Sequence, residues 1–296
     1  MSLLRAAPEA STREEDLKLN ILEFSGALWL GAFAAGLLGS LTGLGGGVVI
    51  VPLLTLYFDV DIRYAIGASL ISVIATSSGA AIAYVRDGYS NIRIGMLLEI
   101  ATTIGASGGA LIAARVPANV IAVIFGAVLL STVYSSSRVR RAEDIPKRSD
   151  PLAVRLRLEG SYPIENGFRR YYVKRLPLGF SLMTLAGLLS GLLGIGSGAM
   201  KVLAMDKAMG LPFKVSTTTS NFMIGVTAAA SAGIYFAQGY IDPALAMPTM
   251  LGVLAGSLLG ARILAVAHPR ILRRVFSGVV LLLGLEMLYK GVTGSL

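Results

Sequence analysis

The chain has 296 residues, 54% of them hydrophobic and 15% charged, with a mean hydropathy of +0.72 and a formal net charge of +9. Soluble domains run at about 25% charged, so this is the composition of an integral membrane protein; the basic excess, gathered between apolar stretches, reads as positive-inside bias rather than nucleic-acid binding. The absence of cysteine excludes disulfides, thiolate metal sites and cysteine nucleophiles, and one histidine, His268, leaves too few ligands for haem, zinc or a histidine-based triad.

Residues 1–20 form a polar tail with Arg5, Arg13 and Lys18, not a signal peptide, because no apolar core follows a basic start. From Ile21 to Phe58 the chain is apolar apart from Glu23, too long for one membrane crossing and short for two. Gly43, Gly45, Gly46 and Gly47 interrupt it, and glycine is the weakest helix former after proline. The remainder, Val48 to Phe58, rises about 16 Å at ~1.5 Å per residue, against a hydrocarbon core of ~30 Å. The stretch therefore predicts a re-entrant hairpin: a helix enters, unwinds near the midplane, and a half-helix returns to the same side. Irregular backbone at that depth is tolerated where it lines a cavity or is buried in protein.

Three apolar spans follow, at Tyr64–Val85, Ile94–Ala114 and Ala118–Tyr134. The polar segment 136–175 reads as a short cytoplasmic β-hairpin. Its alternating Val154–Leu158 predicts one strand, Asn166-Gly167 the turn, and Phe168–Arg175 the return. A second apolar series then begins at Leu176, breaks at Gly194-Ile-Gly-Ser-Gly198, and continues to Met209. Spans at Val215–Ala237, Pro243–Ala267 and Val275–Tyr289 complete it. The expected units are the tail 1–20, a membrane repeat at 21–135, the basic linker 136–175, a second repeat at 176–290 and a C-terminal tail at 291–296.

At an offset of 151 residues, Gly43, Gly45 and Gly47 fall on Gly194, Gly196 and Gly198, Ser69 on Ser220, and Tyr84 and Tyr89 on Tyr235 and Tyr240. Gly105 and Gly109 fall on Gly256 and Gly260. Such self-similarity indicates duplication. One hairpin plus three crossings per half is an odd number, so the halves face opposite ways. With the linker inside, the inner loops hold 18 Lys and Arg and the outer segments 6. That bias predicts an all-α membrane protein of two inverted repeats with both termini outside.

The two breaks carry the strongest functional signal. A helix that begins at midplane presents unpaired N–H groups bearing roughly half a positive charge, where small anions bind. Gly45, Gly46, Gly47 and Val48 in the first break, with Gly196, Ser197, Gly198 and Ala199 in the second, are the candidate anion-binding backbone. Lys201 follows on the next turn; a charge in the bilayer interior costs ~2.5–3.5 kcal/mol, which an anion offsets. The competing reading has Lys201 snorkel to the interface or pair with Asp206. Ser69, Ser220 and Asn221 are hydroxyl and amide donors beside the breaks. Glu99, five residues into its span, reads as interfacial, with proton coupling as the sharper alternative. Gly252, Gly256 and Gly260 read as helix-packing positions. No acid–base cluster or nucleophile suggests an enzyme, and no metal or cofactor is expected. The implied partners are a small anion and membrane lipids, with no nucleic acid, and self-association stays open.

Gly43-Leu-Gly-Gly-Gly47 with Pro52, together with Gly194-Ile-Gly-Ser-Gly198, Lys201-Val202 and Thr219-Ser220-Asn221-Phe222, resembles the TauE/SafE family of membrane permeases. Ser197 stands where the family pattern has a third glycine and Leu203 where it has a proline. The resemblance covers nearly the whole chain. It implies two duplicated halves and movement of small sulfur-containing anions, sulfite or organosulfonates, across a prokaryotic plasma membrane. A secondary transporter is the function expected; an anion channel with the same site, or a non-transporting membrane assembly subunit, are the alternatives.

Overall fold

A computed structural model describes residues 22–39, 46–86, 90–136, 149–164, 167–196, 198–264 and 269–295. The first half contains α1 (Leu22–Gly39), α2 (Gly47–Tyr57), α3 (Ile62–Arg86), α4 (Ile92–Ala113) and α5 (Ala118–Ser136). The polar insertion contains α6 (Pro151–Arg155), β1 (Gly160–Ile164) and β2 (Gly167–Tyr171). The second half contains α7 (Leu176–Leu193), α8 (Gly198–Leu203) running into a π-helical turn at Ala204–Ala208, α9 (Phe213–Ala237), α10 (Pro243–Leu264) and α11 (Pro269–Thr293).

Among the described residues, five helices are long and apolar enough to cross a membrane: Leu22–Gly39, Ile92–Ala113, Leu176–Leu193, Phe213–Ala237 and the Pro243–Gly260 part of α10. Their outer surfaces are apolar, with Leu30, Met96, Ile104, Leu185 and Leu258 exposed, while the interior holds alanine, serine and threonine. Lipid gives no hydrophobic drive between helices, so close packing of small residues holds them together. On α4, a methyl group at Gly105 would lie 2.0 Å from the Thr184 carbonyl oxygen of α7, and one at Gly109 2.0 Å from that of Leu188. The partner helix answers: Gly187 and Gly191 lie as close to the carbonyls of Thr102 and Ala106. Helices α1 and α10 touch in the same way, Gly36 against Val253, Gly252 against Trp29 and Gly256 against Phe33.

The ends of α2 and of the turn after α8 lie beside the starts of α1 and α7. Phe24, early in α1, packs edge-on against Phe58 after α2, with ring centroids 5.7 Å apart. The N–H of Lys174, just before α7, donates to the Met209 carbonyl beyond α8. Hydrogen bonds also define two opposite ends of the bundle. At one end, Arg63 at the start of α3 donates to the carbonyls of Ala113 and Val116 past α4. There it caps a helix C-terminus, where a cation is favoured, and its guanidinium lies over Tyr240 beyond α9. At the other end, the N–H of Asn91 before α4 bonds to Thr219 Oγ1 early in α9, and the insertion docks there.

The insertion is an antiparallel hairpin, but its first strand is Gly160–Ile164, paired with Gly167–Tyr171. The expected strand at Val154–Leu158 is instead the end of α6 and the turn after it. Pro151 explains this, since proline's fixed φ suits the first helical position and commits the next residues to a helical turn. Asn166 lies outside the described residues. The last helix starts at Pro269, six residues earlier than the apolar pattern alone placed it.

Candidate functional site

The second interruption is made by backbone geometry. Gly194 and Gly196 both have φ of +67°, a left-handed conformation that glycine adopts without strain. A methyl at Gly194 would also lie 2.7 Å from Ile66 Cγ2. The hydroxyl of Ser69, on α3 in the other half, donates to the Gly194 carbonyl at 2.8 Å, and Ser220 of α9 donates to the Gly198 carbonyl at 3.2 Å. A hydroxyl has one proton, so in this conformation both serines spend it on the break backbone.

The start of α2 arrives at the same place. A Cβ built on Gly47, the first residue of α2, would sit 3.1 Å from the Gly194 carbonyl and 2.8 Å from Ser69 Oγ. The two methyls of Val73 approach Gly47 and Gly196 respectively. Gly46, Gly47, Val48, Gly196 and Gly198 are all buried at this junction, and Asn221 is half-buried beside Ser220. Ala199 continues α8. Gly45 and Ser197 lie outside the described residues, as does His268.

Lys201 occupies the first turn of α8 with 0% exposure, so it does not snorkel. Its Nζ donates to Thr227 Oγ1 of α9 at 2.5 Å, and the Thr227 hydroxyl lies 2.6 Å from Glu99 Oε1 of α4. Glu99 is buried within the protein, 8% exposed. Thr103 Oγ1 adds a longer bond to Oε1 at 3.3 Å, while the other carboxyl oxygen, Oε2, is buried without a partner among the described residues. Three helices thus converge on a buried Lys–Thr–Glu chain.

Thr227 escaped the sequence reading, although a signal was present. Ser216, Ser220, Thr227 and Ser231 recur at helical spacing along α9 and are all buried. That stripe in an apolar span marks the face turned inward. Glu99 and Thr102 mark the facing side of α4, where the Thr102 hydroxyl lies 3.4 Å from that of Thr227. At the 151-residue offset the corresponding positions are Ile50, Thr76 and Met250, so the charged chain exists once.

The sequence profile described as Sulfite exporter TauE/SafE matches residues 28–287. A probable membrane transporter protein, YunE, of Bacillus subtilis is 28% identical over 265 residues, covering 87% of this chain and 95% of its own. The probable membrane transporter protein MJ0441 of Methanocaldococcus jannaschii is 26% identical over 271 residues, covering 86% and 92%. No solved structure matches the chain.

Proposed function

Because the chain belongs to the TauE/SafE sulfite exporter family, we propose that it is a secondary transporter of small sulfur-containing oxyanions, sulfite or an organosulfonate, in a prokaryotic plasma membrane. The observation that carries this reading is Lys201, a fully buried lysine one turn past a break that adjoins a second break. An ammonium in the membrane interior needs negative charge nearby; the group Lys201 bonds directly is a neutral hydroxyl, with the Glu99 carboxylate one bond further on. An anion held by Lys201, by the N–H groups at Gly46, Gly47 and Val48, and by those at Gly196, Gly198 and Ala199 would give the ammonium a direct negative partner.

Alternating access would come from one half rocking against the other as inverted repeats. Three features support the inversion. Contacts pair up under exchange of halves: α4 on α7 matches α10 on α1, with Gly187 against Thr102 answering Gly36 against Val253. Helix α3 starts at the end of the bundle where α9, its counterpart, finishes. Helix α4 starts at the end carrying the basic insertion, so positive-inside bias puts residues 136–175 in the cytoplasm and both termini outside.

A thermal-stability screen of the purified protein against sulfite, methanesulfonate, thiosulfate, phosphonates and carboxylates tests the ligand class. Counterflow in proteoliposomes tests the mode. Stabilisation by sulfur oxyanions with saturable counterflow is the expected result. Flux without counterflow would make the protein a channel, and neither shift nor flux would make it an assembly subunit.

A further inference from the structure

We infer that Glu99 is the proton site of the transport cycle and that Thr227 is the hydroxyl through which its charge answers that of Lys201, giving electroneutral movement of one proton with each monovalent anion. This rests on the anion-transport reading above and specifies its coupling. The three side chains come from three different helices and are linked by bonds of 2.5 and 2.6 Å. All are nine-tenths buried or more.

Charge counting sets the stoichiometry. With Glu99 ionised and Lys201 protonated, the chain of three is neutral and stable without a guest. An anion bound at Lys201 would then leave one net negative charge in a low-dielectric interior, which is strongly unfavourable. A proton taken up on Glu99 as the anion arrives restores neutrality. Unpartnered Oε2 is the oxygen free to receive it; Oε1 is the oxygen that faces Thr227 in the ionised state. The Thr227 hydroxyl has a second acceptor in the Met223 carbonyl at 3.0 Å. It can therefore turn its proton from Glu99 to the backbone when Glu99 becomes neutral, and leave Lys201 to the anion. No bond to carbon forms or breaks; the proton enters with the anion and leaves with it.

Other ionisable groups on the elements around Glu99 are few. Helix α7 has none, α9 has Lys214 near its start and Tyr235 near its end, the turn after α8 has Asp206 and Lys207, and α4 itself has Arg93. Of these elements, α8 supplies the charge that interacts with Glu99, through Lys201.

The test uses the full chain in proteoliposomes with methanesulfonate, whose charge stays −1 at every pH used, and a trapped pH dye. An inward methanesulfonate gradient should acidify the lumen with one proton per anion, and uptake should not respond to an imposed membrane potential. With one proton taken up per anion bound, apparent anion affinity should fall as pH rises, by up to about tenfold per unit. Glu99→Gln should abolish the acidification and make uptake driven by membrane potential, because the empty carrier now returns with a net positive charge. Thr227→Ser should keep the wild-type coupling and Thr227→Val should lose it. Anion counterflow without proton movement in the wild type, or potential-driven uptake in the wild type, would overturn the coupling and leave the transport reading standing. Absence of any anion counterflow in the wild type would overturn both. If Glu99→Gln fails to fold, the wild-type stoichiometry and its potential dependence still decide.

Discussion

Lys201 and Glu99 face one another across the hydroxyl of Thr227, 2.5 Å from the amine and 2.6 Å from the carboxyl oxygen. Glu99 is the charge that interacts with Lys201 here. Removing one end of a buried pair typically costs about 3–5 kcal/mol, whereas replacing both with apolar or neutral groups of similar volume is often close to neutral. Lys201→Met alone should therefore lower thermal stability markedly in detergent, and Lys201→Met combined with Glu99→Gln should recover most of the loss. Lys201→Ala should also abolish stabilisation by sulfur oxyanions. Additive losses in the double variant would mean that the two residues do not act as a pair.

The contact between α4 and α7 offers a sharp contrast within three residues. A methyl at Gly105 would lie 2.0 Å from the Thr184 carbonyl, while one at Gly108 meets nothing within 4 Å. Overpacking of this kind costs roughly 1–3 kcal/mol, and replacing glycine by alanine in an unobstructed helix gains about 0.5–1 kcal/mol. Gly105→Ala should lower the melting temperature and Gly108→Ala should raise it or leave it unchanged. Equal melting of the two variants would show that the helices are not in backbone contact.

Much of this organisation was legible in the chain itself. The left-handed turn at Gly194 and Gly196, the short helices that begin at Gly47 and Gly198, and the packing glycines on α10 all follow from glycine content and from lengths set by the bilayer; Gly43 and Gly45 lie outside the described residues. What was not legible depends on which helices meet. Glu99 sits only five residues into its span, so distance along the chain suggested an interface; its bond to Thr227 comes from α9 packing against α4. Thr227 is one hydroxyl among many, each able to bond to its own preceding turn. Only the arrival of Lys201 singles it out. Ser69 and Ser220 illustrate the reverse case: sequence marked them as donors near the breaks, and their protons go to the break backbone itself. The strand misplaced at Val154–Leu158 shows a proline at a helix start overriding an alternating pattern.

The insertion has its own test in Tyr171. Its ring is buried, its hydroxyl oxygen accepts from Asn91 Nδ2 at 2.7 Å, and burial pushes the phenol above its ordinary value of about 10 despite that bond. A raised folded value means that the neutral phenol is favoured in the docked state. That contribution to stability is fully present below about pH 10, the unfolded value, and is lost as pH rises through the folded one. In ultraviolet titration of the phenolate band, the component missing from Tyr171→Phe should titrate above about pH 10. If the missing component titrates at or below that value, the hairpin is not docked against the start of α4.

Orientation can be read directly because the chain has no cysteine to remove. Arg169 lies on the exposed outer strand of the hairpin, at the end of the bundle where α4, α7 and α9 begin. Asp61 is exposed at the opposite end, beside Arg63. Single cysteines placed at these two positions should label with a membrane-impermeant maleimide in opposite ways in intact cells. Positive-inside bias expects Asp61→Cys to react from outside and Arg169→Cys to react only after permeabilisation. The same side for both would break the two-ended bundle that the Arg63 and Asn91 contacts describe. The reverse pattern would keep the bundle but turn it over, placing the basic hairpin outside, against the charge bias, and removing the basis for assigning residues 136–175 to the cytoplasm.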